Sequence, residues 1–191
     1  VLDLCAAPGG KTAQLIKAGY QVTALDSDAT RMERLKQNLV RLDYTAETVV
    51  ADAGNYAPAS SYDGVLLDAP CSATGTFRRH PEVIWHRSAG DVAGRVRLQR
   101  ALLANAFRCL DAAGVLVYCV CSLEPAEGEH QVDWALDALP GLELWPVAPA
   151  ERPGLENAVP ARGLVRTHPG MAPGGHEGGM DGFFVARFRR R

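Results

Sequence analysis

The residues of this chain that could do covalent chemistry are two cysteines placed alike. One segment, Tyr62 to Asp68, reads as a buried strand, and Ala69-Pro70-Cys71-Ser72 follows it. A second, Val115 to Val120, reads the same way and runs directly into Cys121-Ser122. If the two strands are neighbours, both thiols and the Asp68 carboxylate meet at the carboxyl edge of a sheet, where open α/β folds bind ligands. A thiolate there can add to an aromatic ring and activate a carbon that is not nucleophilic by itself, provided that a basic neighbour or a helix N-terminus lowers its pKa. A single such cysteine is more commonly a small buried core residue. Two at strand ends, each followed by serine, argue for a site, and the residue types leave open which would be the nucleophile.

Beside these groups a ligand must be held, and the first dozen residues are built for that. Val1 to Leu4 read as the end of a parallel strand, Ala6, Ala7, Pro8, Gly9 and Gly10 form a turn nearly bare of side chains, and a helix begins at Lys11. Backbone N–H groups in such a strand–turn–helix can approach a nucleotide-like ligand closely. Gly10-Lys11-Thr12 matches the end of a phosphate-binding P-loop, but the first glycine of that pattern falls on Cys5. The alternative, the first turn of a Rossmann-like methyltransferase cradling S-adenosylmethionine, requires an acidic residue at the end of the next strand for the ribose hydroxyls. Asp26 closes Gln21 to Leu25 and fits. Asp52, after a third β-rich run from Thr45 to Ala51, could reach the adenine amine, or could be an ordinary strand-end carboxylate.

The elements that would carry these groups alternate between strand and helix patterns. A helix capped by Ser27 or Asp28 runs to about Arg41 with Met32, Leu35, Leu39 and Leu42 on its inner face. Val92 to Leu110 is helical, stopped by Gly114, and Ser122 caps a further helix with Val132, Ala135, Leu136 and Leu139 buried. Leu142 to Trp145 and Gly182 to Phe188 complete seven strands, the last paired antiparallel, with Pro149 to Asp181 an extended loop between them. Ala73 to Gly90 is a long connection in which Arg78, Arg79 and Arg87 interleave with Phe77, His80, Trp85 and His86, a mixture suited to phosphates and stacked bases. The 191 residues fit one α/β domain, and 47% hydrophobic with 22% charged residues is ordinary for a globular protein. A net charge of −2 does not announce a nucleic-acid binder, although six arginines from Arg78 to Arg100 face only Glu82 and Asp91. No apolar run is long enough to span a bilayer. Five cysteines without scaffold spacing point to a reducing, cytoplasmic setting, and Cys119-x-Cys121 has no second ligand pair, so no metal is expected.

The strings DLCAAPGGKT, LLDAPCSATGTFRRHPEVIW, VYCVCS and DGFFVARF, in this order, resemble the NOL/NOP/Sun family of RNA cytosine-5 methyltransferases, most of all its bacterial Sun (Fmu) branch, from Asp3 to Phe188. The resemblance implies a Rossmann-like class I methyltransferase fold, helices on both sheet faces, and S-adenosylmethionine held by Cys5, Ala6, Ala7, Pro8, Gly9, Gly10 and Lys11 with Asp26, Asp52 and Asp68. It implies that Cys121 attacks carbon 6 of cytosine, that Cys71 assists product release, and that Asp68 serves the base. RNA, ribosomal rather than transfer, is the implied partner of a monomer, with Lys11, Arg78, Arg79 and Arg166 as expected contacts. The family's usual Ala-Thr-Cys-Ser is Cys119-Val120-Cys121-Ser122 here, which loses a threonine hydroxyl and sets Cys119 on the face of Cys121, within reach of a disulfide. The whole stretch 1–191 is expected to be one catalytic domain without the RNA-binding region that the family carries ahead of it. A cofactor- and RNA-binding piece that does not turn over, and a P-loop nucleotidase, are the competing readings.

Overall fold

The computed structural model describes residues 1–85, 88–172 and 179–191. Its centre is a sheet of eight strands, β1 (Leu2–Leu4), β2 (Thr23–Asp26), β3 (Glu47–Val50), β4 (Tyr62–Asp68), β5 (Leu110–Val120), β6 (Leu142–Leu144), β7 (Val165–Thr167) and β8 (Phe183–Arg190). The order is β3-β2-β1-β4-β5-β8-β6, with β7 also on β8. The first five of these neighbours are mutually parallel, while β8 is antiparallel to β5, β6 and β7. Four helices, α1 (Gly10–Lys17), α2 (Ala29–Arg41), α3 (Ala89–Arg108) and α4 (Glu129–Ala138), make the crossovers. Among the described residues no helix is long and apolar enough to cross a membrane.

Alternation along the strands puts helices on both faces. Ala24 packs with Met32, Leu35 and Leu39 of α2, whereas its neighbour Leu25 joins the cluster containing Leu102, Leu103 and Ala106 of α3 and Val132 and Ala135 of α4. The Asp28 carboxylate caps α2 by accepting from the Thr30 and Arg31 amides.

Four expectations need correction. The sheet has eight strands rather than seven, because Val165–Thr167, inside the stretch read as one extended loop, pairs with β8 beyond the end of β6. A three-residue strand leaves almost no periodic signal. Helix α3 starts at Ala89, where Ser88 and Asp91 cap each other reciprocally, and ends at Arg108. Gly114 does not stop it. That glycine lies in a register shift of β5 between Leu110, opposite Tyr62, and Val115, opposite Gly64, and a Cβ there would sit 2.7 Å from Leu110 Cγ. Ser122 is not the cap of α4, whose N-terminal neighbour is Gly128. Leu42 lies past the end of α2 and is exposed. His86 and Arg87 of the arginine-rich connection lie outside the described residues.

One contact binds three segments at the carboxyl edge of the sheet. The Gly75 N–H donates to Cys121 O (3.0 Å), and the Gly182 N–H donates to Gly75 O (2.8 Å). A Cβ on Gly75 would stand 2.0 Å from Gly182 O, a backbone atom that cannot swing aside. Gly75→Ala should therefore destabilise the fold by about 1–3 kcal/mol, the usual effect of overpacking, in urea titrations. A loss under ~0.5 kcal/mol, typical of surface changes, would mean that the three segments are not packed this tightly.

Candidate active site

The parallel register of β4 and β5 pairs Asp68 with Cys119, so the two chains leave the sheet side by side. Cys71 and Cys121 follow within three residues, and their Sγ atoms are 3.5 Å apart, within hydrogen-bonding reach for thiols. The two sulfurs are not equivalent. The hydrogen bond to Cys121, then burial, pushes the Cys71 thiol up, and the hydrogen bond from Cys71 pulls the Cys121 thiol down against its own burial. Both shifts let Cys121 give up a proton more readily than Cys71.

Asp68 stands beside them with both oxygens engaged. Lys11 Nζ donates to Oδ2 at 2.7 Å, and the Cys119 thiol donates to Oδ1 at 3.4 Å. Burial alone would lower the Lys11 pKa, but the charge of Asp68 and its hydrogen bond outweigh that and leave it raised. Burial, then the Asp68 charge, raises the Cys119 thiol, which stays protonated as a donor. All five cysteines are free, so Cys119 orients Asp68 rather than closing a disulfide with Cys121.

Behind Lys11 lies a cleft of about 210 Å³ lined by Cys5, Ala6, Ala7, Pro8, Gly10 and Lys11 of the turn, together with Asp3, Gln14 and Asp68. The turn is braced from outside. The Ala6 N–H donates to Leu25 O (3.0 Å) and the Ala7 N–H to Asp26 Oδ2 (3.1 Å), while Arg31 Nη2 donates to Ala7 O (2.5 Å) and Asn38 Nδ2 to Pro8 O (2.9 Å). Gly9 has φ +97° and no room for a Cβ, which would lie 2.9 Å from Leu35 Cγ. Gly10 lines the cleft itself, and a Cβ there would meet no protein atom within 4 Å. Cys5 is inert, pushed up to about 12 by burial and the nearby carboxylates.

The donor set suits S-adenosylmethionine, which carries a sulfonium and an ammonium. Asp68 and Asp3 present carboxylates to the cleft, and Asp3 Oδ1 is buried without a hydrogen-bond partner among the described residues. Its other oxygen accepts from the Thr12 hydroxyl at 2.6 Å. Asp26 is buried at the end of β2, where its oxygens accept the Ala7 and Asp28 N–H groups and Oδ2 lies 3.5 Å from Arg31 Nη1; it braces the turn and does not line the cleft. Asp52 is exposed after β3 and folds back on Gly54 N and Asn55 Nδ2.

The expected RNA contacts divide. Arg78 and Arg79 are exposed and share Asp181, with Arg79 Nε at 2.8 Å from its carboxylate. Arg166 is only 19% exposed. Its Nε and Nη2 donate to Glu129, its Nη1 donates to Ser122 O (2.5 Å), and its guanidinium stacks 4.7 Å from the Phe184 ring centroid. That side chain braces the end of β5 and offers no free cation. Reading the sequence missed Asp3, hidden inside a strand pattern, and Glu127, which looks like a helix-start carboxylate but is fully buried between the two cysteine loops.

Burial raises the Asp3 carboxyl to about 6 from 3.8, so the folded chain holds this proton more tightly than the unfolded one. Stability from this group is therefore present below about 4 and lost as pH rises through about 6. Asp3→Asn cannot titrate. Its urea stability relative to the parent should improve by roughly 1–3 kcal/mol between the two ends of that window, and a constant difference would contradict an unpaired buried carboxylate.

Comparison with known proteins agrees with this geometry. Residues 1–189 match the family model described as 16S rRNA methyltransferase RsmB/F. The chain is 40% identical to ribosomal RNA small subunit methyltransferase B of Vibrio cholerae over 97% of its own length and 40% of that protein's. It is 37% identical to the Cronobacter sakazakii protein of the same name, covering 42% of it. NSun6 from Pyrococcus horikoshii, solved with SFG, superposes with a TM-score of 0.80 at 29% identity, over 99% of this chain and 47% of that one. The N-methyltransferase NodS of Bradyrhizobium japonicum, solved with S-adenosyl-L-homocysteine, shares the fold at a TM-score of 0.58 and 14% identity. The chain thus spans about two-fifths of the curated relatives it matches, and with nearly every residue inside the family model it belongs to the 16S rRNA methyltransferase RsmB/F family.

Proposed function

We propose that this chain transfers a methyl group from S-adenosylmethionine to carbon 5 of a cytosine in small-subunit ribosomal RNA, through a covalent adduct on Cys121. The observation that carries the reading is the 3.5 Å thiol pair beside an Asp68–Lys11 ion pair that also lines the cofactor cleft. A small-molecule methyltransferase would leave two matched thiols without a task, and a P-loop nucleotidase would leave the cleft's carboxylates facing phosphates.

The chain's own groups divide the work. Cys121, as thiolate, forms a carbon–sulfur bond at cytosine carbon 6 and moves electron density to carbon 5. Bound S-adenosylmethionine supplies the electrophilic methyl that carbon 5 takes up. In this reading Asp68, held by Lys11 and Cys119, accepts from a protonated ring N3 and stabilises the adduct. A base, solvent water in this reading, then takes the carbon-5 proton, the C–H electron pair restores the carbon 5–carbon 6 double bond, and the carbon–sulfur bond breaks with its electron pair going to Cys121. Cys71, hydrogen-bonded to that sulfur, stabilises the departing thiolate and so helps release. The base must leave its stack to reach this edge, which suits a flexible or single-stranded target. Arg78 and Arg79, exposed on the loop after Cys71 and paired with Asp181, would meet the backbone of such an RNA in this reading. The residues 1–191 form the catalytic domain in this reading, working as a monomer in the cytoplasm without a metal.

The test is transfer of a radiolabelled methyl group to naked small-subunit ribosomal RNA and, separately, to transfer RNA, with the product nucleoside identified by mass spectrometry. The expected product is 5-methylcytidine in the ribosomal RNA, with Cys121→Ala lowering the rate at least ~100-fold, the usual scale for removing a nucleophile. Label in any other nucleoside, or undiminished transfer by Cys121→Ala, would overturn the assignment. Label confined to transfer RNA would change the substrate and keep the chemistry.

A further inference from the structure

Four donors converge on one carboxylate behind the thiol pair. Glu127 has no solvent exposure. Its Oε1 accepts from the Ser72 N–H (2.9 Å) and from Gln99 Nε2 (3.0 Å). Its Oε2 accepts from the hydroxyls of Ser72 (2.5 Å) and Ser122 (2.6 Å). The two serines are the residues that directly follow Cys71 and Cys121, and their hydroxyl oxygens are themselves 3.1 Å apart. Tyr118, the residue before Cys119 in β5, donates its hydroxyl to the Glu127 carbonyl at 2.6 Å. Among the described residues, no lysine, arginine or histidine forms an ion pair with Glu127.

A buried carboxylate without a cation is costly and persists only where several donors are fixed around it. Here three of the four donors belong to the two segments whose separation sets the thiol contact, and the fourth, Gln99, comes from α3. The charge also has a direction. It bears on Cys71, whose thiol it helps to hold up, behind the larger effects of the hydrogen bond to Cys121 and burial. On the other side, Cys121 faces Asp68, which works to raise it, and Lys11, which works to lower it.

We propose that Glu127 is the positioning residue of the thiol pair, fixing the Cys71 and Cys121 loops at one separation through Ser72 and Ser122 and biasing the shared proton toward Cys71. The two cysteines are chemically identical, so something outside them must decide which sulfur carries the negative charge. Glu127 takes both the N–H and the hydroxyl of Ser72, next to Cys71, but only the hydroxyl of Ser122, next to Cys121. Its charge is therefore tied more closely to the Cys71 segment, whether or not RNA is present. This inference deepens the reading of Cys121 as nucleophile, and its test needs neither RNA nor cofactor, so the two can fail separately.

The experiment is iodoacetamide alkylation of the full chain across pH 6–10, with Cys71 and Cys121 followed individually by peptide mass spectrometry. In the parent protein Cys121 should react at lower pH than Cys71. In Glu127→Gln, which keeps size but removes the charge, the two profiles should converge, and the preference for Cys121 near neutral pH should fall by about tenfold, the change in thiolate ratio for one pH unit between the profiles. A folded Glu127→Gln protein with the parent's preference would overturn the proposal, since a merely structural carboxylate would alter stability and leave that ratio alone. Should Glu127→Gln not fold, seen as loss of its unfolding transition, Ser72→Ala tests the linkage with the charge retained. A preference several-fold lower in that variant supports the proposal, and an unchanged one contradicts it.

Discussion

Everything at this site depends on the parallel pairing of β4 with β5. The register that sets Asp68 against Cys119 brings both chains to the sheet's edge together, and what each chain does next is the same, a cysteine followed by a serine. A slip of one residue would turn Cys119 away from Asp68 and move Cys121 to the other face, because side chains alternate along a strand. The pairing is secured on both sides. β1 joins β4 through Leu2↔Val65 and Leu4↔Leu67, and β8 joins β5 from Val115 to Val120, with Leu2, Leu4, Leu67, Leu116, Tyr118, Phe184 and Phe188 fully buried.

The electrostatics follow from three buried or half-buried carboxylates with different degrees of compensation. Asp68 has a cation and a thiol, and Glu127 has four neutral donors and no ion pair among the described residues. Asp3 has a single hydroxyl and one oxygen without a partner among those residues. Low-dielectric surroundings make such differences matter, since a buried charge is tolerated in proportion to the donors aimed at it. The least compensated group lines the cofactor cleft, where a cationic ligand would complete it. The one with the most donors lies behind the thiols, bonded to the serines that follow them.

Much of this was legible in the residues. The strand limits of β4, the Asp28 cap, the antiparallel last strand and the two cysteines at strand ends all follow from patterns of two and of 3.6 residues with flanking turn residues. Other features carry no local signal. Glu127 sits two residues past a proline, where a helix start usually has an acidic residue, and only the tertiary fold reveals that its donors come from three segments, those of Ser72, Gln99 and Ser122. Arg166 looks like any surface arginine until the short strand β7 turns it beneath Gly128 against Phe184. Asp3 is one polar residue in a strand read by its apolar neighbours. The choice between Cys71 and Cys121 is of the same kind, since it depends on what surrounds each sulfur and not on the sulfur itself.

The most direct test of the account is to trap the chain on RNA containing 5-fluorocytosine in the presence of S-adenosylmethionine. The fluorine blocks departure from carbon 5, so an adduct on the attacking sulfur should persist. The account predicts a covalent complex that forms with Cys71→Ala and is absent with Cys121→Ala. An adduct that survives in Cys121→Ala and is lost in Cys71→Ala would reverse the two thiols and contradict the polarity assigned to the pair.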